Sequence, residues 1–242
     1  MARIKYTTEF MSKTALFYSV YNKNVKDGPK SILKQFLAEE NIDMAKNKTG
    51  VDKAIETHKV FQKLYKQSED FTQMRDNLFS PVFDNLKESV QFLKTWYRRN
   101  VRELGNWGIT VDGDNAVKYP PSFEEKYELF ITFYNKNKEM GEKSPLIPFL
   151  EENFIDMDKD KADADQANEY SLQGKQARLD YKEESNKRDR IFDPIFNSIR
   201  AIGQFLKRLF PKEMHKLGEW GYNIVESSPQ MRVEIKKNPA VE

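Results

Sequence analysis

Cysteine is absent from the 242 residues, histidine occurs twice, and 40 basic side chains nearly cancel 38 acidic ones to leave a net charge of +2. Without cysteine there are no disulfides, no thiolate metal sites and no thiol nucleophile, and a reducing, cytoplasmic setting is expected. No run approaches the roughly 20 apolar residues needed to span a bilayer, and the opening MARIKYTTEF is too polar for the core of a signal peptide, so no membrane insertion is expected. The near-neutral charge disfavours a dedicated nucleic-acid or membrane binder. Aromatic residues are plentiful: 17 Phe, 11 Tyr and 3 Trp supply enough apolar surface for real cores.

The chain repeats itself at an offset of 113 residues without a gap. KYTTEFMSKTALFYSVYNKN from Lys5 matches KYPPSFEEKYELFITFYNKN from Lys118. QFLAEENIDM, ending at Met44, matches PFLEENFIDM, ending at Met157. LFSPVF at Leu78–Phe83 matches IFDPIF at Ile191–Phe196, and LGNWG at Leu104–Gly108 matches LGEWG at Leu217–Gly221. Between Lys5 and Lys48, 22 of 44 positions are identical to their counterparts, too many in one register for chance. The expected organisation is therefore repeat 1 over residues 1–113 and repeat 2 over residues 114–242, the latter ending in a β-hairpin.

Each repeat reads as helical. Phe10, Thr14, Phe17 and Tyr21 form an aromatic stripe at helical spacing, matched by Phe123, Tyr127, Phe130 and Tyr134. A short helix is expected after Ser31 and after Ser144, each serine acting as its cap. Long polar segments follow, Asp43 to Phe79 and Asp156 to Phe192, with Phe61 in the first replaced by Gly174 in the second. Ser80-Pro81 and Asp193-Pro194 are expected to end these helices and start new ones. Pro211 would kink or shorten the last helix. Alternating residues at 109–111, 117–119, 222–225 and 231–235 predict short strands, with Arg3 to Lys5 a further partner. The fold class is thus mainly all-α: a tandem duplication of antiparallel, roughly four-helix bundles with short β-hairpins at the repeat ends.

No catalytic constellation emerges. The histidines His58 and His215 have Ser171 and Arg102 as counterparts, so no imidazole site is duplicated. Neither has the Glu-x-x-His spacing of a di-iron bundle, and the acidic stretch Asp156 to Asp160 lacks the glycine and glutamate positions of a calcium loop. GxSxG, GxxxxGK[ST] and GxGxxG are all missing. No enzyme activity, cofactor or metal is therefore expected.

Three features remain. The repeated LGxWG carries Gly105, Trp107, Gly108, Gly218, Trp220 and Gly221, and reads as a helix stop with Gly105 and Gly218 in the left-handed conformation and each Trp folded over the bundle end. Basic residues cluster at the helix ends, Lys94, Arg98, Arg99 and Arg102 in one repeat and Lys207 and Arg208 in the other. They form a candidate interaction patch, with Tyr97 and Trp107 available for stacking on a base. Lysines at 13 and 126 recur beside recurring carboxylates at 39, 43, 152 and 156 and the pairs Arg75-Asp76 and Arg188-Asp189, suggesting paired charge networks at helix junctions. Charge also divides unequally: residues 1–113 hold 19 basic and 14 acidic side chains, residues 114–242 hold 21 and 24, giving +5 and −3.

These observations point to a non-enzymatic structural or protein-interaction module that associates with a protein partner or with itself, head to tail through its oppositely charged halves. Carriage of an apolar small molecule among Phe10, Phe17, Tyr21, Phe36 and Phe83 is the alternative. Weak nucleic-acid or phosphate binding through the basic helix ends is a lesser one.

Overall fold

The computed structural model describes residues 2–226 and is mainly helical. Strand β1 (Ala2–Ile4) precedes α1 (Phe10–Asp27), α2 (Lys34–Glu39) and α3 (Met44–Trp96). After the short strands β2 (Thr110–Val111) and β3 (Val117–Lys118) come α4 (Phe123–Met140), α5 (Ile147–Glu152), α6 (Met157–Leu209) and β4 (Ile224–Glu226). Helices α1, α2 and α3 begin and end 113 residues before α4, α5 and α6. Tight 3₁₀ turns at Val101–Trp107 and Met214–Trp220 keep the same offset.

The starts of the long helices follow from their caps. The carboxylate of Asp43 accepts the backbone N–H groups of Ala45 and Lys46 at 3.0 and 2.9 Å, and that of Asp156 accepts those of Asp158 and Lys159 at 3.0 and 3.1 Å. The short helices start three residues beyond the expected serines. The Ser31 hydroxyl donates to Asn24 Oδ1 at 2.5 Å, Ser144 does the same to Asn137, and each holds the next residues in a turn before the helix begins.

The expected breaks at Pro81 and Pro194 do not occur. Both prolines lie inside continuous helices of 53 residues. An interior proline removes one helical hydrogen bond and costs about 3 kcal/mol. Around Pro81 the side chains of Phe79, Val82, Phe83, Leu86, Val90 and Leu93 are all buried, and Phe192, Ile195, Phe196, Ile199, Ile202 and Leu206 are buried around Pro194. Each buried Leu, Ile or Phe contributes about 1.5–3 kcal/mol, so the packed stripe outweighs the proline. Pro211 is not what ends α6: the helix stops at Leu209, and α3 stops at the equivalent Trp96 with Arg98 in place of the proline.

Compactness divides the chain differently from the repeats at 1–113 and 114–242. Among the described residues the first unit comprises 2–59 and 184–226, and the second comprises 60–183. The first unit has a core in which Leu16, Phe17, Val20, Leu33 and Phe36 meet Phe192, Phe196, Ile199, Leu206, Leu217 and Trp220. In the second, Phe79, Phe83, Leu86, Val90, Leu93, Leu104 and Trp107 meet Phe130, Phe133 and Leu146. Each core thus joins the α1-type helix of one repeat to the last half of the long helix of the other. A helix that does not turn at its proline cannot fold back on its own α1.

The strands close the ends of the units. β1 pairs antiparallel with β4, Ile4 opposite Ile224, and β2 pairs with β3 around a turn in which the Asp112 carboxylate accepts from the N–H groups of Asp114 and Ala116. The remaining expected strand, 231–235, lies outside the described residues, as does the rest of the C-terminal hairpin.

Candidate interaction surface

LGxWG does not stop the long helices, which end eight residues earlier at Trp96 and Leu209; it closes the 3₁₀ turns that follow, and the left-handed residue is its second glycine. Gly108 and Gly221 have φ of 78° and 87°, while Gly105 and Gly218 are not in that region. The geometry is a Schellman closure: Ile109 N–H reaches Leu104 O at 3.1 Å and Tyr222 N–H reaches Leu217 O at 3.2 Å. The bond reaches back five positions, so the residue after Trp takes positive φ. Trp107 is 1% exposed and lies 5.2 Å from the Phe133 ring, which removes it as a stacking platform. Trp220 is likewise buried, with the Lys23 ammonium 5.8 Å above its ring.

The basic cluster at the end of α3 has a different aromatic companion. Trp96 is 62% exposed, resting on Phe92 with centroids 6.1 Å apart, and Phe92 in turn stacks on Phe149 of α5 at 4.8 Å. Arg98, Arg99 and Arg102 follow it on the surface, and none forms an ion pair among the described residues. Lys94 is half-buried and is the least of the groups that hold the Asp112 carboxyl below its ordinary range, after the hydrogen bonds from Ala116 and Asp114 and the charge of Lys118. Lys207 and Arg208, in the last turn of α6, are exposed beside the exposed Leu209. Trp96 stands outside the repeated LGxWG, and its counterpart Leu209 is exposed as well.

The most unusual residue lies between α5 and α6. Phe154 is 95% exposed and has φ of +55°. Helix α5 ends in a Schellman closure, with Phe154 N–H bonded to Glu151 O at 3.3 Å and Ile155 N–H to Leu150 O at 2.9 Å. The left-handed position suits glycine or asparagine. The equivalent position in the first repeat is Asn41, φ +53°, with the same bonds to Ala38 and Leu37. A bulky L-residue there costs about 1–2 kcal/mol, and full exposure of a phenyl ring forgoes the gain of burial. Exposed carboxylates surround it in sequence, Glu151, Glu152 and Asp156, and Ile147, Leu150 and Ile155 share a shallow apolar depression with it. Phe154→Asn is expected to raise stability by about 1 kcal/mol, measured by urea unfolding, because it restores the residue type that the turn prefers.

No protein-family model, curated protein or solved structure matches the chain.

The other candidates have structural occupations. Instead of meeting carboxylates, Lys13 lies 5.2 Å over the Phe196 ring and Lys126 lies 5.1 Å over Phe83, so the expected charge network is a pair of cation–π contacts. Glu39 accepts from Gln35 on the surface, and Glu152 is exposed. Arg75 and Arg188 pair with the adjacent Asp76 and Asp189 and stack over Phe123 and Phe10, each at 5.0 Å. His58 packs 4.6 Å from Phe10, and its Nδ1 accepts from Arg188 at 3.1 Å; burial and that guanidinium lower its pKa. Phe17 and Phe36, considered for ligand carriage, stack on Tyr21 and Phe205. Between α3 and α6, a Cβ at Gly174 would lie 3.5 Å from Phe71 Cβ and 3.8 Å from the Ser68 carbonyl oxygen, ordinary contact distances. There Arg178 donates to Ser68 Oγ at 3.2 Å and Thr72 Oγ1 at 3.1 Å, a tie between helices that spacing alone did not reveal.

The acidic stretch is similarly occupied. Asp158 takes Tyr134 at 2.6 Å and Lys138 at 2.7 Å, while Asp160 is buried and accepts from Asn85 at 2.9 Å. Burial, followed by the nearby charges of Asp163 and Asp156, raises the Asp160 pKa above 3.8 despite the Asn85 bond. The folded state therefore binds this proton more tightly than the unfolded state, and Asp160 lowers stability as pH rises from 3.8 through its folded pKa. Asp160→Asn should remove that slope: its stability relative to the native chain should climb over this pH window in urea titrations and then level off. A flat difference would mean that Asp160 is not held in its proton-binding environment.

Proposed function

We propose that this chain is a non-enzymatic protein-interaction module, a duplicated helical scaffold that docks through Phe154 and its acidic collar onto an apolar surface rimmed with cations. The observation that carries this reading is Phe154 itself, which combines a left-handed backbone with a fully exposed ring where the first repeat uses asparagine. A residue that strains its turn and gains nothing from burial is accounted for by a use outside folding, and strain of this kind concentrates at binding sites. Aromatic anchors set in a polar rim are the residues that dominate protein interfaces. The collar of Glu151, Glu152 and Asp156 selects for a positively charged rim on the partner.

A photo-crosslinking benzophenone analogue of phenylalanine, placed at position 154 and in a separate protein at position 41, compares the two equivalent turns while keeping an aromatic ring at 154. Docking predicts an adduct with another protein chain from position 154 and not from 41, lost when Glu151 and Glu152 are replaced by lysine. Equal crosslinking at both positions, or none at 154, would remove the proposal.

A further inference from the structure

The landing surface that Phe154 requires is present on the same chain. We infer that the partner is a second copy, whose Trp96, Arg98, Arg99 and Arg102 receive Phe154 and its acidic collar; this rests on the docking role proposed for Phe154. Trp96 offers a large exposed ring at the end of α3, supported from beneath by Phe92. Its three arginines have no ion pair among the described residues, so their charges are available to carboxylates of another molecule. Arginine meets a carboxylate with two parallel hydrogen bonds, and Trp and Arg are the residue types most enriched where interfaces concentrate their energy. Glu151 and Glu152 supply two exposed carboxylates to match them, and Asp156, which caps α6 through one oxygen, adds a third negative charge.

The alternative landing sites are weaker matches. Leu209, 46% exposed, has the second basic cluster of Lys207 and Arg208 beside it, but an aliphatic side chain replaces the tryptophan and one arginine replaces three. Val25 and Ile32 are exposed near Lys26, Lys30 and Lys34, which bind carboxylates as point charges rather than bidentately. Within its own chain Phe154 remains 95% exposed, so the Trp96 surface does not cover it intramolecularly. Contact between different patches of two copies is satisfied either by a reciprocal pair of contacts in a dimer or by head-to-tail growth.

Sedimentation of the full chain over a concentration series, at low and moderate salt, tests the inference. The native chain is expected to exceed its 28.6 kDa monomer mass, with the excess reduced by salt. Phe154→Asn alone, and Arg98→Glu with Arg99→Glu alone, should each weaken association at least tenfold while circular dichroism shows the native helix content. Mixing the two variants should restore a one-to-one complex, because one retains the landing surface and the other retains the ring and collar. Crosslinks from position 154 in the purified protein should map to residues 92–102 of a second copy.

A monomeric native chain whose position 154 crosslinks to a different protein, in the collar-dependent manner, would overturn the second copy as partner and leave the docking role intact. No adduct from position 154 in any setting would overturn both. Association that survives either variant, or crosslinks that map to 25–34 or 207–209, would overturn the Trp96 surface as the landing site.

Discussion

Trp107→Ala is expected to destabilise the second unit by roughly 3–5 kcal/mol, the range for removing a large aromatic side chain from a packed core. The side chain is 1% exposed and belongs to the cluster containing Leu104, Ile109, Phe130 and Phe133. It follows a turn closed by backbone bonds, so the surrounding atoms cannot collapse into the vacated volume without breaking the Ile109 to Leu104 bond. Trp96→Ala, at a 62% exposed site, should change stability by less than about 1 kcal/mol and act instead on association. Urea unfolding of the two variants, followed by circular dichroism, makes the comparison. A small loss for Trp107→Ala would mean that the ring is a movable lid, and the turn-closing role of LGxWG would fall.

Gly221→Ala is expected to cost roughly 2–5 kcal/mol, whereas Gly218→Ala, three residues earlier in the same motif, should be close to neutral. Two effects add at Gly221. Its φ of +87° imposes about 1–2 kcal/mol on any residue with a Cβ. That Cβ would also lie 2.4 Å from Ser19 Cβ on α1, an atom that no side-chain rotation can move away, and overpacking of this kind costs about 1–3 kcal/mol. Gly218 has no positive φ, and an added Cβ there would meet nothing within 4 Å. Gly108→Ala should lie between them, because its nearest neighbour, Thr132 Cγ2 at 2.8 Å, can rotate. Thermal melts of the three variants measure the order, and equal effects at Gly218 and Gly221 would contradict the assigned turn geometry.

Phe154 illustrates why the candidate surface was only partly legible. The repeat alignment places it opposite Asn41, but a sequence shows neither that the position is left-handed nor that the ring is exposed. Both facts arise from the Schellman closure, which depends on where α5 ends. The basic cluster at Arg98, Arg99 and Arg102 is legible from composition; the sequence offers Tyr97 and Trp107 as its aromatic companions, and only burial shows that Trp107 is enclosed while Trp96 is exposed.

The sequence by itself determined the mainly helical class and the 113-residue offset of its elements. These follow from local chemistry, apolar side chains at helical spacing recurring in one register. Tertiary structure alone decided that Pro81 and Pro194 remain inside helices and that each core is assembled from parts of both repeats. A proline is a local penalty of a few kilocalories, and only the burial of some half-dozen large side chains around it, visible once partners from the other repeat are in place, shows which of the two prevails.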